Sequence, residues 1–490
     1  MSTQPSDSIT EGGLVRPMFR LAWPIVALQL LQVTYNIADT FWLGQFDTDA
    51  LAAISLAFPL IFLLISLAGG FTAAGSILVA QYTGADSDTS AGRVAGQTLS
   101  FVSVLAIGLG IVGYVLTEDM LAALPSQQET KEAVIPLAAD YMEVFFLGIV
   151  FMFGFFVFSA LMRGYGDTKT PMRVMLVSVA VNVVIDPILI FGVGPVPELG
   201  IQGAAIATVA SRGLGSILGV YILFFTDAGP DVDVSHLKPD FGVIRDIVRL
   251  GVPTALEQSA SAFAMVTLTA MIVLFAPPVV AAYGLGNRIA SLIFLPAMGL
   301  GRATNTMVGQ NLGADKPARA ERAVLLAAGA AAGILLVVAV LVYAFPDPLV
   351  EAFVSEDIDN ARATIDFSSD YIRVRAFEFA FIGVLQVVLG AYRGAGNTKT
   401  ALVFSLLALW IGRVATVGIL AFDPIPLVGT VPFTEFTGYG LGPDGFWIGM
   451  ALGNIVGGVA AALWFTRGTW KDAYIEKGPG ESPSPTGGEE

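Results

Sequence analysis

The sequence predicts an all-α, polytopic membrane protein of about twelve transmembrane helices, arranged as two parallel six-helix repeats. Three observations carry this. Apolar runs return along the chain without a charge, as from Leu51 to Ala80 and from Ala323 to Phe345, and about 20 such residues cross a hydrocarbon core of roughly 30 Å. Charged residues make up 13% of the chain and hydrophobic ones 55%, where soluble domains carry about a quarter charged. The third observation is internal repetition. QYTGAD at 81–86 returns as QNLGAD at 310–315, MRGYGDTKT at 162–170 as YRGAGNTKT at 392–400, and Pro24 of LAWP as Pro253 of LGVP, each displaced by 229 or 230 positions. A transmembrane β-barrel is excluded, because its strands are about ten residues of alternating polarity.

Taken in order, residues 1–15 form a polar tail with no cleavage site of a signal peptide behind it. The first lobe, 16–226, holds spans at 16–43, 51–81, 94–116, 134–161, 171–192 and 201–226. The acidic stretch DAGPDVDVSHLKPDFGV at 227–243 is a linker. The second lobe, 244–467, holds spans at 244–275, 279–310, 320–346, 368–393, 400–422 and 445–467, and both tails, 1–15 and above all 468–490, read as disordered. Glycine and proline inside spans are tolerated where neighbouring helices satisfy the freed backbone groups. Each repeat has an even number of spans, so both halves enter the membrane in the same direction, with a central cleft between them. Of the 25 Lys and Arg, Lys131 and Arg362 alone fall in one set of loops and six lie inside spans; the rest gather in the opposite loops and tails. That asymmetry places both termini and the linker in the cytoplasm, in an inner (cytoplasmic) cell membrane.

Composition also excludes function classes. The net charge of −15 argues against nucleic acid as a partner. An acidic exterior with 18 Arg and 7 Lys is expected of a salt-loving source. The chain has no cysteine, so disulfides and thiolate metal sites are impossible, and its one histidine, His236, lies in the acidic linker. The R-G-x-G-x-T-K-T repeats lack the G-K-[ST] core of a phosphate loop. They read as turns in which Asp167 and Asn397 start the next helix and basic residues hold the cytoplasmic side. No hydrolase or metalloprotease pattern is present, so the chain is not expected to be an enzyme and no catalytic residue is assigned.

The informative residues are ionisable groups deep in spans, each costing a few kcal/mol there. Gln32, Tyr35, Asn36 and Asp39 are linked by steps of three and four, so they line one side of span 1, which Pro24 can bend. Asp186 lies in span 5 with Asn182 one turn before it. By the repeat offsets Asp39 corresponds to Leu268 and Asp186 to Thr416, so these acids are not a requirement of the fold. The residues leave open a proton carrier or an oxygen-lined Na⁺ site. The second half has its own buried charges: Glu257, Arg288, Arg302, Arg373, Arg375, Glu378 and Arg413. Of these, Arg375 and Glu378 are three apart and can pair.

The chain resembles the multidrug and toxic compound extrusion (MATE) family, in its archaeal and DinF-like branch, over about residues 14–467. The resemblance lies in W-P-x-x-x-x-x-x-L-Q at 23–32, A-D-T-F-W-L-G at 38–44, A-Q-Y-T-G-A at 80–85, A-L-M-R-G-Y-G-D-T-K-T at 160–170, N-x-x-x-D-P at 182–187 and G-A-A-I-A-T at 203–208. It implies a V-shaped pair of lobes exporting organic, often cationic, compounds in exchange for Na⁺ or H⁺. The cation-coupling carboxylates of that branch match Asp39 and Asp186, with Asn182 and Thr208 completing a possible Na⁺ site. Gln32, Tyr35, Asn36 and Tyr141 would line the adjoining substrate cavity, and Ser159 replaces the asparagine of the family's N-x-x-L-R-G motif. A second branch uses carboxylates of helices 7 and 10, for which Glu257 and Glu378 stand second in rank. The implied partners are small organic substrates and the lipid bilayer, with the coupling ion in place of a cofactor and a monomer as the unit. The competing readings are a lipid-linked oligosaccharide flippase of the same superfamily, which Arg288, Arg302 and Arg413 would suit, and a channel or receptor.

Overall fold

The structure is a computed structural model describing residues 9–122, 128–354, 361–426, 428–431 and 434–475. Among the described residues, nine helices are long and apolar enough to cross a membrane: Val15–Phe46, Leu64–Gly84, Asp88–Ala122, Lys169–Phe191, Gly200–Phe225, Phe241–Ile272, Pro317–Ala344, Thr398–Ala421 and Gly442–Phe465. The Leu64–Gly84 segment closes a longer helix, Thr48–Gly84. Three further spans are bent pairs: Glu132–Leu147 with Ile149–Tyr165 at 55°, Pro277–Ile293 with Leu295–Gly313 at 46°, and Ala361–Ala376 with Phe379–Gly394 at 54°. Counted together these are spans 1 to 12, six before the 227–243 linker and six after it.

Spans 4, 8 and 10, expected at 134–161, 279–310 and 368–393, are each broken into two helices. At Gly148 the reason is packing, since a Cβ there would stand 2.2 Å from the Val209 side chain of span 6. In span 8 the break falls at Phe294, just before Pro296, which lacks an N–H for the preceding turn. Span 11 departs from α geometry in another way, winding as a π-helix over Leu407–Ala415.

Each span divides its side chains between lobe and surroundings. Ile107, Ile111 and Val115 of span 3, and Leu336, Val337, Val340 and Leu341 of span 9, are exposed. Such a continuous apolar surface would be an association hazard in water and is what a hydrocarbon solvent requires. Inside, one apolar core fills the first lobe around Phe146, Phe153, Phe155 and Phe158. The second lobe has two cores, one around Tyr392 and Phe404 and one around Tyr371, Phe446 and Trp447.

The lobes meet on the face that carries the linker and both tails, called the linker face below. The repeat motifs there lock into one another reciprocally. The Gln81 Nε2 donates to the carbonyl of Gly394 at 2.9 Å, and Gln310 Nε2 donates to the carbonyl of Gly164 at 2.9 Å. Gly84 and Gly313 make the approach possible, since a Cβ would lie 2.0 Å from the Gln310 carbonyl in one case and 1.9 Å from that of Gln81 in the other. The turns behind them behave as expected. Asp167 accepts from the backbone N–H of Lys169 and Thr170, and Asn397 accepts from the Thr400 hydroxyl.

The tails depart from the expectation of disorder where they are described. Ile9 is buried, and its carbonyl accepts from Asn311 and Arg319. Trp470 is buried and stacked on Phe465, and the Gln81 Oε1 accepts from the N–H groups of Tyr474 and Ile475. Polar composition hid these few apolar anchors. Residues 1–8 and 476–490 lie outside the described residues. The linker likewise is strapped to span 3, where Gln97 bonds the backbone of His236, Lys238 and Asp240.

Candidate functional site

Span 1 begins on the linker face with Val15 and span 5 with Lys169, so Asp39 and Asp186 both lie in the far half of the first lobe. Spans 1, 5 and 6 pack against one another there. Asn182 and Asp186 are fully buried on span 5, where Asn182 Nδ2 donates to Asp186 Oδ1 at 3.0 Å. The Asp39 carboxylate approaches Asp186, Asn182 and Thr208. The structure thus brings together the four residues expected to bind a cation, and it leaves them underused as hydrogen-bonding groups. Asp39 Oδ1, Asn182 Oδ1, Asp186 Oδ2 and Thr208 Oγ1 are all buried without a hydrogen-bond partner. Orphaned buried polar atoms are uncommon and call for an explanation.

The expected cavity residues divide. Tyr35 and Tyr141 are buried beside the acids, and the Tyr35 hydroxyl meets Ser211 Oγ at 3.2 Å. Gln32 sits at the rim, donating to Asn36 Oδ1 at 3.0 Å. Asn36 itself is exposed, so the one-sided row read from helical spacing reaches the cluster only through Tyr35 and Asp39. Ser159 is remote from the acids and accepts from Arg163 Nη1 at 2.9 Å.

Sequence reasoning passed over Arg212. This residue of span 6 is 1% exposed and donates to Gln32 Oε1 at 2.5 Å. Its guanidinium lies 4.6 Å from the Tyr35 ring centroid and 5.4 Å from that of Phe155, within electrostatic reach of Asp39. Its signal was available, as an arginine in the middle of an apolar span. With Arg212 included, two carboxylates and one guanidinium leave one excess negative charge, which a single monovalent cation neutralises.

The second-rank acids have partners. Glu257 of span 7 is held through both oxygens by Arg393 of span 10, at 2.5 and 3.2 Å. Glu378 is fully buried, ion-paired with Arg375 and hydrogen-bonded by Asn454 Nδ2 at 2.8 Å. Arg163 and Arg393 lie near the linker-face ends of spans 4 and 10. Their guanidinium groups turn back from the linker face, to Ser159 and to Glu257. Arg373 pairs with Asp370, and Arg288 is exposed.

The MatE family profile matches residues 24–188 and 253–417, one copy in each lobe. The chain is 28% identical over 471 residues to a probable multidrug resistance protein, YpnP, of Bacillus subtilis strain 168, covering 94% of this chain and 97% of that protein. A second protein of that strain, the probable multidrug resistance protein YoeA, is 30% identical over 81% of this chain and 84% of its own. Among solved structures, a MATE transporter in complex with MaL6 superposes with a TM-score of 0.83 at 25% identity, covering 95% of this chain and 98% of that one. Two family repeats, twelve spans in two lobes and relatives matched along nearly their whole length agree: the chain belongs to the MatE family of multi-pass membrane transporters.

Proposed function

We propose that the protein is a secondary active efflux transporter that exports organic compounds in antiport with Na⁺ or H⁺, and that Asp39, Asn182, Asp186 and Thr208 hold the coupling ion. The observation that carries this reading is the set of four buried oxygens without partners in a site with one excess negative charge. Hard cations prefer carboxylate, amide and hydroxyl oxygens, so the set suits Na⁺. A proton shared between the two carboxylates would neutralise the same charge. Either ion removes the cost of an uncompensated charge in a low-dielectric interior.

Coupling follows if neutralisation favours a different arrangement of span 1 from the charged state, since an ion shifts a conformational equilibrium only by its differential affinity for the two states. Span 1 is suited to this. It contains Pro24, supplies Asp39 to the cluster, and touches the second lobe where Gln29 accepts from Arg302 Nη1 at 3.2 Å. The test is export from cells or proteoliposomes with and without a Na⁺ or a proton gradient. Gradient-dependent export by the natural chain, lost in Asp186→Asn at equal expression, is the expected result. Export indifferent to both gradients removes the antiport reading, and Asp186→Asn exporting normally removes the site.

The direction of export requires the linker face to be cytoplasmic, which the basic asymmetry supports. The cysteine-free chain allows a clean check. Ser235 is exposed in the linker, and Ser235→Cys is expected to resist an impermeant thiol reagent applied to intact cells and to react after permeabilisation.

A further inference from the structure

We propose that Arg163, Arg302 and Arg393 form an anion-binding floor to the cleft between the lobes, which takes the phosphate or carboxylate group of the exported compound. The proposal rests on the export reading and departs from the cationic compounds that the family resemblance implies. Arg163 ends span 4 and turns away from the linker face toward Ser159. Arg302 lies in span 8, where it reaches across to Gln29 of span 1 and is open to solvent. Thr306, one turn further along span 8, donates to the Arg163 carbonyl at 3.0 Å. Gly390 and Gly394 of span 10 pack against the carbonyls of Gly301 and Asn305 of span 8, which sets Arg393 beside Arg302, so that the three like charges act on one another.

The charge balance of this cluster is what points to a ligand. Arg393 has its carboxylate in Glu257. Its repeat counterpart Arg163 has a serine hydroxyl, and the position matching Glu257 in the first half is Leu28. Arg302 has a neutral glutamine, and its own first-half counterpart is Ala73. Three guanidinium groups against one carboxylate leave two excess positive charges, and among the described residues no salt bridge reaches Arg163 or Arg302. Had these arginines served only to hold the turns, each half would need its own counter-ion, as the second half has. Guanidinium is the side chain best shaped to grip a carboxylate or phosphate through paired N–H groups, and a cluster of like charges is relieved by a bound anion. The floor and the oxygen cluster are therefore sites of opposite sign, one suited to an anion and the other to a cation.

Flavin mononucleotide and riboflavin make a suitable pair of probes, because they share a fluorescent ring and differ by one phosphate. The full-length protein in phosphatidylcholine nanodiscs is expected to bind the phosphorylated flavin at least tenfold more tightly than riboflavin, with a preference that falls as salt is raised. Arg302→Gln and, separately, Arg163→Gln are expected to reduce that preference to threefold or less. Adding phosphatidic acid to the nanodisc separates the sources of the group: competition shows that a lipid phosphate also occupies the floor, and its absence shows selectivity for soluble anions. Equal binding of the two flavins by the natural protein, or a preference that survives both substitutions, overturns the proposal. Binding is read without any ion gradient, so its outcome is independent of whether export proves to be coupled.

Discussion

The two lobes are built from one repeat, yet their polar interiors have opposite designs. Tyr141 of the first lobe corresponds to Tyr371 of the second, and both are buried near the break of a bent span, 4 or 10. In the second lobe the hydrogen bonds of the one buried acid of this network are satisfied, although Arg413 Nε and Trp447 Nε1 nearby have no partner. Tyr371 donates to Asn287 at 2.7 Å, Arg375 bonds Tyr371 and Asn287 and pairs with Glu378, and Asn454 satisfies the remaining Glu378 oxygen. In the first lobe the acids face each other and four oxygens have no donor. The contrast shows that the two copies of a duplicated fold compensate their buried charges differently. A carboxylate enclosed by its own arginine and amide fixes geometry, whereas carboxylates left short of donors have capacity for a mobile cation. The difference lies in the counter-ions, and it explains why Glu257 and Glu378, although buried and acidic, rank below Asp39 and Asp186.

The strongest way to break this comparison is to neutralise one acid in each lobe. Asp186→Asn is expected to abolish gradient-driven export while the protein still inserts and folds, because it removes charge from a site that lacks donors. Glu378→Gln is expected to do the reverse, leaving ion affinity in place and lowering stability by about 3–5 kcal/mol through the stranded Arg375. Thermal melting in detergent alongside ion binding separates the two, and equal loss of ion affinity in both variants would erase the distinction. A finer measurement is the double-mutant cycle of Asp39→Asn and Asp186→Asn on ion affinity. Residues sharing one network are expected to deviate from additivity by about 0.5–3 kcal/mol, while Asp39→Asn combined with Glu378→Gln adds within roughly 0.5 kcal/mol. Simple addition in the first cycle means two separate sites, and the coupling role of one acid then passes to Glu257.

The smallest effect concerns the junction, where the lobes are most alike. Gln81→Ala and Gln310→Ala each remove one inter-lobe hydrogen bond of about 1 kcal/mol. Gln81 also anchors the tail through Tyr474 and Ile475, so its loss is expected to lower the melting temperature further and to expose the tail to protease. Identical behaviour of the two variants would show that the tail contributes nothing to the junction.

The amino-acid sequence by itself determined the all-α class, the count of spans and the parallel repeat, because continuous apolar runs and recurring motifs are properties of the chain alone. It also singled out Asp39, Asn182 and Asp186, since a charge inside an apolar run is conspicuous in one dimension, and its absence from the second repeat equally so. Three things were decided only by the tertiary structure. The break at Gly148 depends on what a neighbouring helix presses against the backbone, as Val209 does there, whereas the one at Phe294 has a local cause in Pro296. Which buried charges are matched depends on partners far apart in sequence, as Glu257 is matched by Arg393 while Arg163 has only Ser159. The membership of the buried cluster around Asp39 and Asp186 depends on the meeting of spans 1, 5 and 6, which brought in Arg212 and left Asn36 outside. Hydropathy and spacing are local quantities legible along the chain, whereas charge compensation is a sum over neighbours in space, and only the folded lobes define who those neighbours are.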